Sequence, residues 1–229
     1  MLSNIQNKDI RTLGYVLRRT NYGEVDRILN IITPQGKILA IAKGVRKEKS
    51  KLAGGIEIFT LSDFNIHLGR GEFGIVTSAK MQKYYNNIVK DFAKMELAAM
   101  LLKKVSKVAE NSDNPEYFRI VDQSLAGLNM GDNNGLVEAW FLINLAKAIG
   151  EEINLYRDTS GKKLDQGLKY YWDVVENAFV VDEGGEFGVD EIKMLRLMLT
   201  MDLCVVRRVK VDVEMLRKVL NFARMASGI

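Results

Sequence analysis

Along the first 83 residues the apolar positions come in short runs broken by glycine, proline and charge. Leu13 to Arg19 is apolar and ends in two arginines. Arg27 to Thr33 carries Ile28, Leu29, Ile31 and Ile32, and Lys37 to Lys43 carries Ile38, Leu39 and Ile41. Thr33-Pro34-Gln35-Gly36 sits between the last two runs. Proline presets one turn dihedral and glycine permits a positive φ, so this segment predicts a tight hairpin. In Ile58 to Leu68, Phe64, Ile66 and Leu68 alternate with Asp63, Asn65 and His67, the pattern of a half-buried strand. Gly69-Arg70-Gly71 turns the chain, and Ile75, Thr77, Ala79 and Met81 alternate again. Five short strands with glycine-rich turns predict a small closed or nearly closed barrel. A five-stranded OB-type barrel fits the count, and an SH3-like barrel fits it nearly as well.

From about residue 88 the period becomes helical. Phe92, Met95, Ala99, Leu102 and Val105 form a stripe at three- and four-residue steps. Asn114-Pro115 reads as an N-cap with proline at the first helical position, and Tyr117, Ile120, Val121, Ser124, Leu125 and Leu128 mark one face after it. Gly131 to Gly135 is a loop or cap. Leu136 to Ile149 is apolar nearly all round and predicts a buried central helix. Ile192 to Val206 and Val213 to Ala223 predict two more helices. Glu151 to Gly188, rich in glycine and charge, predicts a short hairpin or small helices. The expected class is α+β, with a strand domain over residues 1–83 and a helical domain over 84–229. No internal repeat is present.

Composition narrows the function. With 229 residues, 47% hydrophobic and 27% charged, the chain can bury a core without disulfides or metal. One cysteine, Cys204, excludes a disulfide framework or cysteine-rich zinc site, and one histidine, His67, excludes most histidine metal sites. No apolar run reaches the roughly 18 residues of a membrane span. Residues 1–6 lack the basic-then-apolar order of a secretory signal, so the expected location is cytoplasmic. The net charge of +4 is unevenly placed: residues 1–83 carry +7 and residues 84–229 carry −3. A polyanion partner at the first end would explain this, although small domains also vary by a few charges without meaning.

The sharpest chemical feature is Ala42 to Lys51, with five basic residues (Lys43, Arg46, Lys47, Lys49 and Lys51) against Glu48. It follows a strand and leads into Gly54-Gly55, as an exposed loop does. Phosphates suit such a loop, because Lys and Arg neutralise them and release counterions. A solvated charged loop is the plain alternative, and a small barrel beside it favours nucleic acid. Gly69-Arg70-Gly71-Glu72-Phe73-Gly74 matches the spelling of a dinucleotide motif, but a strand follows it rather than the helix that would hold a pyrophosphate. It reads as a hairpin turn with Arg70 at its tip. His67 falls on the polar side of its strand, Cys204 in an apolar helix segment, and Met194, Met198 and Met201 at core spacing. Arg207, Arg208 and Lys210 form a second basic patch, able to receive an acidic peptide but equally a solvated helix end. No P-loop, nucleophile elbow or kinase signature occurs, and no cofactor is expected.

Taken as an ordered set, several segments resemble the RecO family of bacterial recombination mediators. They are Tyr22-Gly23-Glu24-Val25-Asp26-Arg27, Thr33-Pro34-Gln35-Gly36-Lys37, Ala42-Lys43-Gly44-Val45-Arg46, Ser50-Lys51-Leu52, Phe59-Thr60-Leu61 and Arg70-Gly71. The motif-bearing part covers about residues 12–80. The resemblance implies an N-terminal OB-fold, a C-terminal helical domain and no nucleotide hydrolysis. It implies binding of single- and double-stranded DNA, annealing of complementary strands, and help in loading a recombinase onto DNA coated with single-strand-binding protein. It also implies partnership with RecR and recognition of the acidic, apolar C-terminal tail of single-strand-binding protein. By motif, Lys43 and Arg46 are the first expected contacts to DNA or RecR. Lys47, Lys49 and Lys51 extend that surface by charge, with Lys37 and Arg70 beside it. Tyr22, Glu24 and Asp26 are expected to be structural, the two acids ordering a neighbouring basic side chain. Many family members carry a four-cysteine zinc site. The corresponding stretch here, roughly 155–185, has no cysteine, and Tyr170, Trp172 and Phe179 are expected to pack in its place. The alternative from another class is an interaction adaptor whose barrel binds nucleic acid weakly. A nucleotide-dependent enzyme using Gly69–Gly74 is a third.

Overall fold

The alternation of the first third produces five strands. A computed structural model describes residues 8–69, 71–110 and 114–228, and places β1 at Lys8–Tyr22, β2 at Asp26–Thr33, β3 at Gly36–Ala42, β4 at Thr60–Leu68 and β5 at Gly74–Tyr84. They close into a barrel in the order β1-β2-β3-β5-β4. All neighbours are antiparallel except β3 and β5, which run parallel through Ala40 opposite Gly74 and Ile41 opposite Ile75. That strand-skipping pair is the crossover of an OB-type barrel rather than a simple meander. β1 is longer than its apolar run because it serves two neighbours. Lys8 to Tyr15 pairs with Leu68 to Leu61 of β4, and the strand then continues along β2 past a register shift between Val16 and Arg18. A bulge there bends the strand and adds twist, as barrel closure requires. Val16, Leu29, Ile31, Ala40, Phe64, Ile66 and Val76 point inward as the core. Each large aliphatic or aromatic member contributes about 1.5–3 kcal/mol by leaving water.

Residues group into two compact units, one ending at Leu125 and one beginning at Ala126. The first unit holds the barrel, α1 (Asn86–Val89), α2 (Phe92–Val108) and the first turns of α3 (Glu116–Met130). The Asp91 carboxylate caps α2 by accepting the Lys94 N–H. The apolar stripe of α2 is buried only toward the end of the helix. Leu97, Ala98, Leu101, Leu102 and Val105 are the buried positions, while Phe92 is 74% exposed and Ala99 is exposed. Of the five stripe positions, Leu102 and Val105 are buried, Met95 is half-buried, and only Phe92 and Ala99 are exposed. Within this unit the Tyr15 hydroxyl donates to Asp122 of α3 at 2.5 Å and meets the Tyr85 hydroxyl at 2.7 Å. Burial raises the pKa of both phenols, so they stay protonated and keep the chain intact.

In the second unit α4 (Asn134–Ile149) is buried from Leu136 through Ala146 apart from Glu138, as its all-round apolarity predicts. The single helix expected from Ile192 to Val206 is two: α5 (Val189–Thr200) and α6 (Leu203–Val206), with α7 (Val213–Ala226) after them. Met201 between them is extended, and the carbonyls freed by the break are satisfied from α4. Trp140 Nε1 donates to Met201 O at 2.9 Å, and Asn144 Nδ2 donates to Met198 O at 3.0 Å. The irregular stretch holds a hairpin, β6 (Tyr170–Asp173) with β7 (Ala178–Val181). Trp172 packs edge-on to Phe179 at 5.0 Å and to Phe222 at 4.7 Å, and Phe179 also meets Tyr170 and Phe187. Tyr170, Trp172 and Phe179 thus supply the core of this region. Among the described residues no helix is long and apolar enough to cross a membrane. Nor is any cluster of three or more His, Cys, Asp or Glu placed to hold a metal ion.

Candidate nucleic-acid interface

The basic loop joins β3 to a 3₁₀ turn at Ala53–Ile56. Its composition suggests a mobile run, but its ends and middle are fastened. Val45 is 4% exposed and belongs to the barrel core, as does Ile56, with Leu52 and Ala53 packed against them. Gly55 lies so close to β5 that a Cβ would sit 2.1 Å from the Ala79 carbonyl oxygen. Between these anchors the backbone turns on itself: Lys47 N–H donates to Gly44 O, Ser50 N–H to Lys47 O, and Leu52 N–H to Ser50 Oγ. Gly44 adopts φ +62, a left-handed conformation that favours glycine.

The β1–β2 turn grips the same loop. Asp26 Oδ1 accepts the Gly44 N–H at 2.6 Å, Val25 O accepts the Arg46 N–H at 2.9 Å, and Gly23 O accepts Arg46 Nη1 at 3.4 Å. Two motifs far apart in sequence, Tyr22 to Arg27 and Ala42 to Arg46, therefore form one structure. The expectation that Asp26 orders a basic side chain is replaced by a different role: its carboxylate holds a backbone amide.

Lys43, Arg46, Lys47, Lys49 and Lys51 are all exposed. Among the described residues none of the five has a carboxylate partner within ion-pair distance. Arg11 and Arg19 differ. Arg11 pairs with Asp63 at 2.5 Å, and that hydrogen bond, with the guanidinium charge, holds the Asp63 carboxyl below its ordinary value. Arg19 pairs with Glu57 at 2.7 Å. Lys37 is half-buried at the start of β3, six residues before Lys43 and therefore about 20 Å from it along the strand. Arg70 lies outside the described residues. The β4–β5 connection that carries it links two antiparallel strands, as a hairpin turn does. His67 is on the outer face of β4, with Nδ1 2.7 Å from Asp9 Oδ1. In the second unit Arg207 caps α6 and reaches Asp132 at 3.4 Å, while Arg208 and Lys210 are exposed. Cys204 is exposed, not in the core as its apolar neighbours suggest, because it lies on the outer side of the one-turn α6.

A groove of about 1050 Å³ runs between β1 and α2. Leu17, Phe59, Tyr84, Phe92, Met95 and Leu102 line it, with Arg18, Lys103 and Lys107 among its charged lining residues and Glu96 and Glu110 beside them. Phe59 holds φ +63, a strained conformation for a bulky residue. The exposed stripe of α2 was the available signal, although periodicity cannot tell a groove face from a core face.

The order of strands and the loop that leaves β3 define a class: an OB-type barrel protein with an appended helical unit. The chain matches the family descriptions "Recombination protein O N terminal" over residues 8–85 and "Recombination protein O C terminal" over residues 89–226. It is 30% identical over 218 residues to a protein named DNA repair protein RecO from Dehalococcoides mccartyi strain CBDB1, spanning 91% of this chain and 85% of that one. A protein of the same name from Alkaliphilus metalliredigens is 38% identical over 118 residues, 51% of this chain and 48% of the relative. A third, from Rubrobacter xylanophilus, is 30% identical over 142 residues, 61% of this chain and 57% of its own length. The chain belongs to the RecO family of DNA repair proteins.

Proposed function

We propose that this RecO-family chain is a non-enzymatic mediator that binds single- and double-stranded DNA and promotes annealing of complementary strands. The supporting observation is the loop itself: five cations without ion-pair partners among the described residues, on a backbone fastened at Val45, Gly55 and Asp26. Unneutralised cations gain most from meeting phosphate, and a fixed backbone loses little entropy in presenting them. A surface that holds phosphates leaves base edges free to pair. Annealing then needs only that two strands be brought together with their charge screened. The same assignment extends to helping load a recombinase on DNA coated with single-strand-binding protein, with RecR as partner, in the cytoplasm and at the nucleoid.

Replacing Lys43→Glu and Arg46→Glu together tests the site. The double variant is expected to keep its melting temperature and to lose DNA affinity at low salt by two to three orders of magnitude, since two attractions become repulsions. Unchanged affinity in a folded variant removes the loop from the site.

A second reading is favoured by the groove. Its apolar floor and its lining cations Arg18, Lys103 and Lys107 suit a short acidic peptide with apolar side chains, as in the tail of single-strand-binding protein. The barrel unit then acts also as a docking module. Arg208 and Lys210 of the second unit are the weaker alternative for an acidic partner.

A further inference from the structure

The acid inside the basic surface is the least expected group there. A carboxylate beside a phosphate-binding loop repels the ligand, so on charge alone Asp26 weakens binding. Its geometry indicates another role. Asp26 begins β2, and its strand neighbour Arg27 pairs with Ala42, so the side chain lies where β3 ends and the loop begins. Oδ1 meets the Gly44 N–H at 2.6 Å, a short charge-assisted bond to the one loop residue at φ +62. Two residues on, the Arg46 amide is held by the Val25 carbonyl, and between them Val45 is buried in the barrel. Lys43 therefore immediately precedes, and Arg46 closes, a segment fixed at three consecutive positions, Gly44, Val45 and Arg46.

We infer that Asp26 is a positioning residue: by holding the Gly44 amide it sets the separation and direction of Lys43 and Arg46 for adjacent phosphates. This rests on the loop being the DNA-binding surface. The carboxylate bonds to backbone and leaves the cations free, which an Asp paired with Lys or Arg does not. An amide side chain at this position keeps a carbonyl acceptor for Gly44, and alanine does not.

Two substitutions separate position from charge. Asp26→Asn and Asp26→Ala remove the same negative charge, so a purely electrostatic role makes both variants bind DNA more tightly and by the same factor. A positioning role splits them. Asp26→Asn is expected to bind single-stranded DNA at least as tightly as the unaltered chain. Asp26→Ala is expected to bind roughly threefold or more weakly, with the slope of log affinity against log salt shallower by about one, the loss of one phosphate contact. Amide exchange at Gly44 and Arg46 is expected to rise in Asp26→Ala, with barrel-core amides protected as before. This readout shows that the variant is folded and the loop alone is loosened. Equal tightening in both variants overturns the role of Asp26 while leaving the loop as the DNA site. Absence of DNA binding by the unaltered chain at low salt overturns the DNA reading and this role with it.

Discussion

Gly55 shows how closely the basic loop is tied to the barrel. Any side chain there collides with the Ala79 backbone, which is part of β5 and cannot move alone. Gly55→Ala is therefore expected to destabilise the barrel by about 1–3 kcal/mol, read as a lower denaturation midpoint, and to weaken DNA binding as the loop shifts. A variant that melts like the unaltered chain shows that the 3₁₀ turn is not pressed against β5. At this scale the sequence was partly legible. Five cations within ten residues are visible in composition, and the Thr33–Gly36 turn is local, so Pro34 and Gly36 announce it. Asp26 was not legible, because its partner Gly44 is 18 residues away and the two meet only once β2 and β3 have paired.

Among the elements, α2 gives the clearest lesson. Phe92, Met95 and Ala99 have core-like spacing, yet they line a groove, while Leu97, Ala98, Leu101 and Val105 are the buried positions of the helix. Phe92→Asp is expected to leave the melting temperature nearly unchanged, since the side chain is already exposed. It is also expected to abolish binding of a fluorescent acidic peptide ending in apolar residues, measured by anisotropy. Unaltered peptide binding in that variant removes the groove as the docking site. The parallel β3–β5 pair and the second half of β1 were also hidden, since strand order and bulges depend on closure rather than on local alternation. The break between α5 and α6 has the same origin: Trp140 and Asn144 on α4 supply the hydrogen bonds that let the chain leave the helix at Met201.

At the scale of the whole chain, charge divides between the barrel end and the helical end. In the second unit burial disfavours the charged form of Glu191, but hydrogen bonds from Lys218 and the Gly188 N–H outweigh it and hold the carboxyl below its ordinary 4.5. A carboxyl with a lowered folded pKa stabilises above its unfolded value and loses that contribution as pH falls through the folded one. The contribution of Glu191 is thus complete above pH 4.5 and is lost in stronger acid. Glu191→Gln is expected to lower stability at neutral pH and to flatten the acid limb, checked by thermal melts between pH 3 and 7. An acid limb identical to that of the unaltered chain contradicts the pairing. The central claim concerns the other end, where the barrel loop offers free cations to DNA. The most direct measurement is single-strand binding and annealing across a salt series, for the unaltered chain and for the Lys43→Glu, Arg46→Glu variant. Tight binding that falls steeply with salt, faster annealing, and a slope shallower by about two in the variant are expected. Weak or salt-insensitive binding by a folded sample contradicts the claim and leaves the barrel as a docking module.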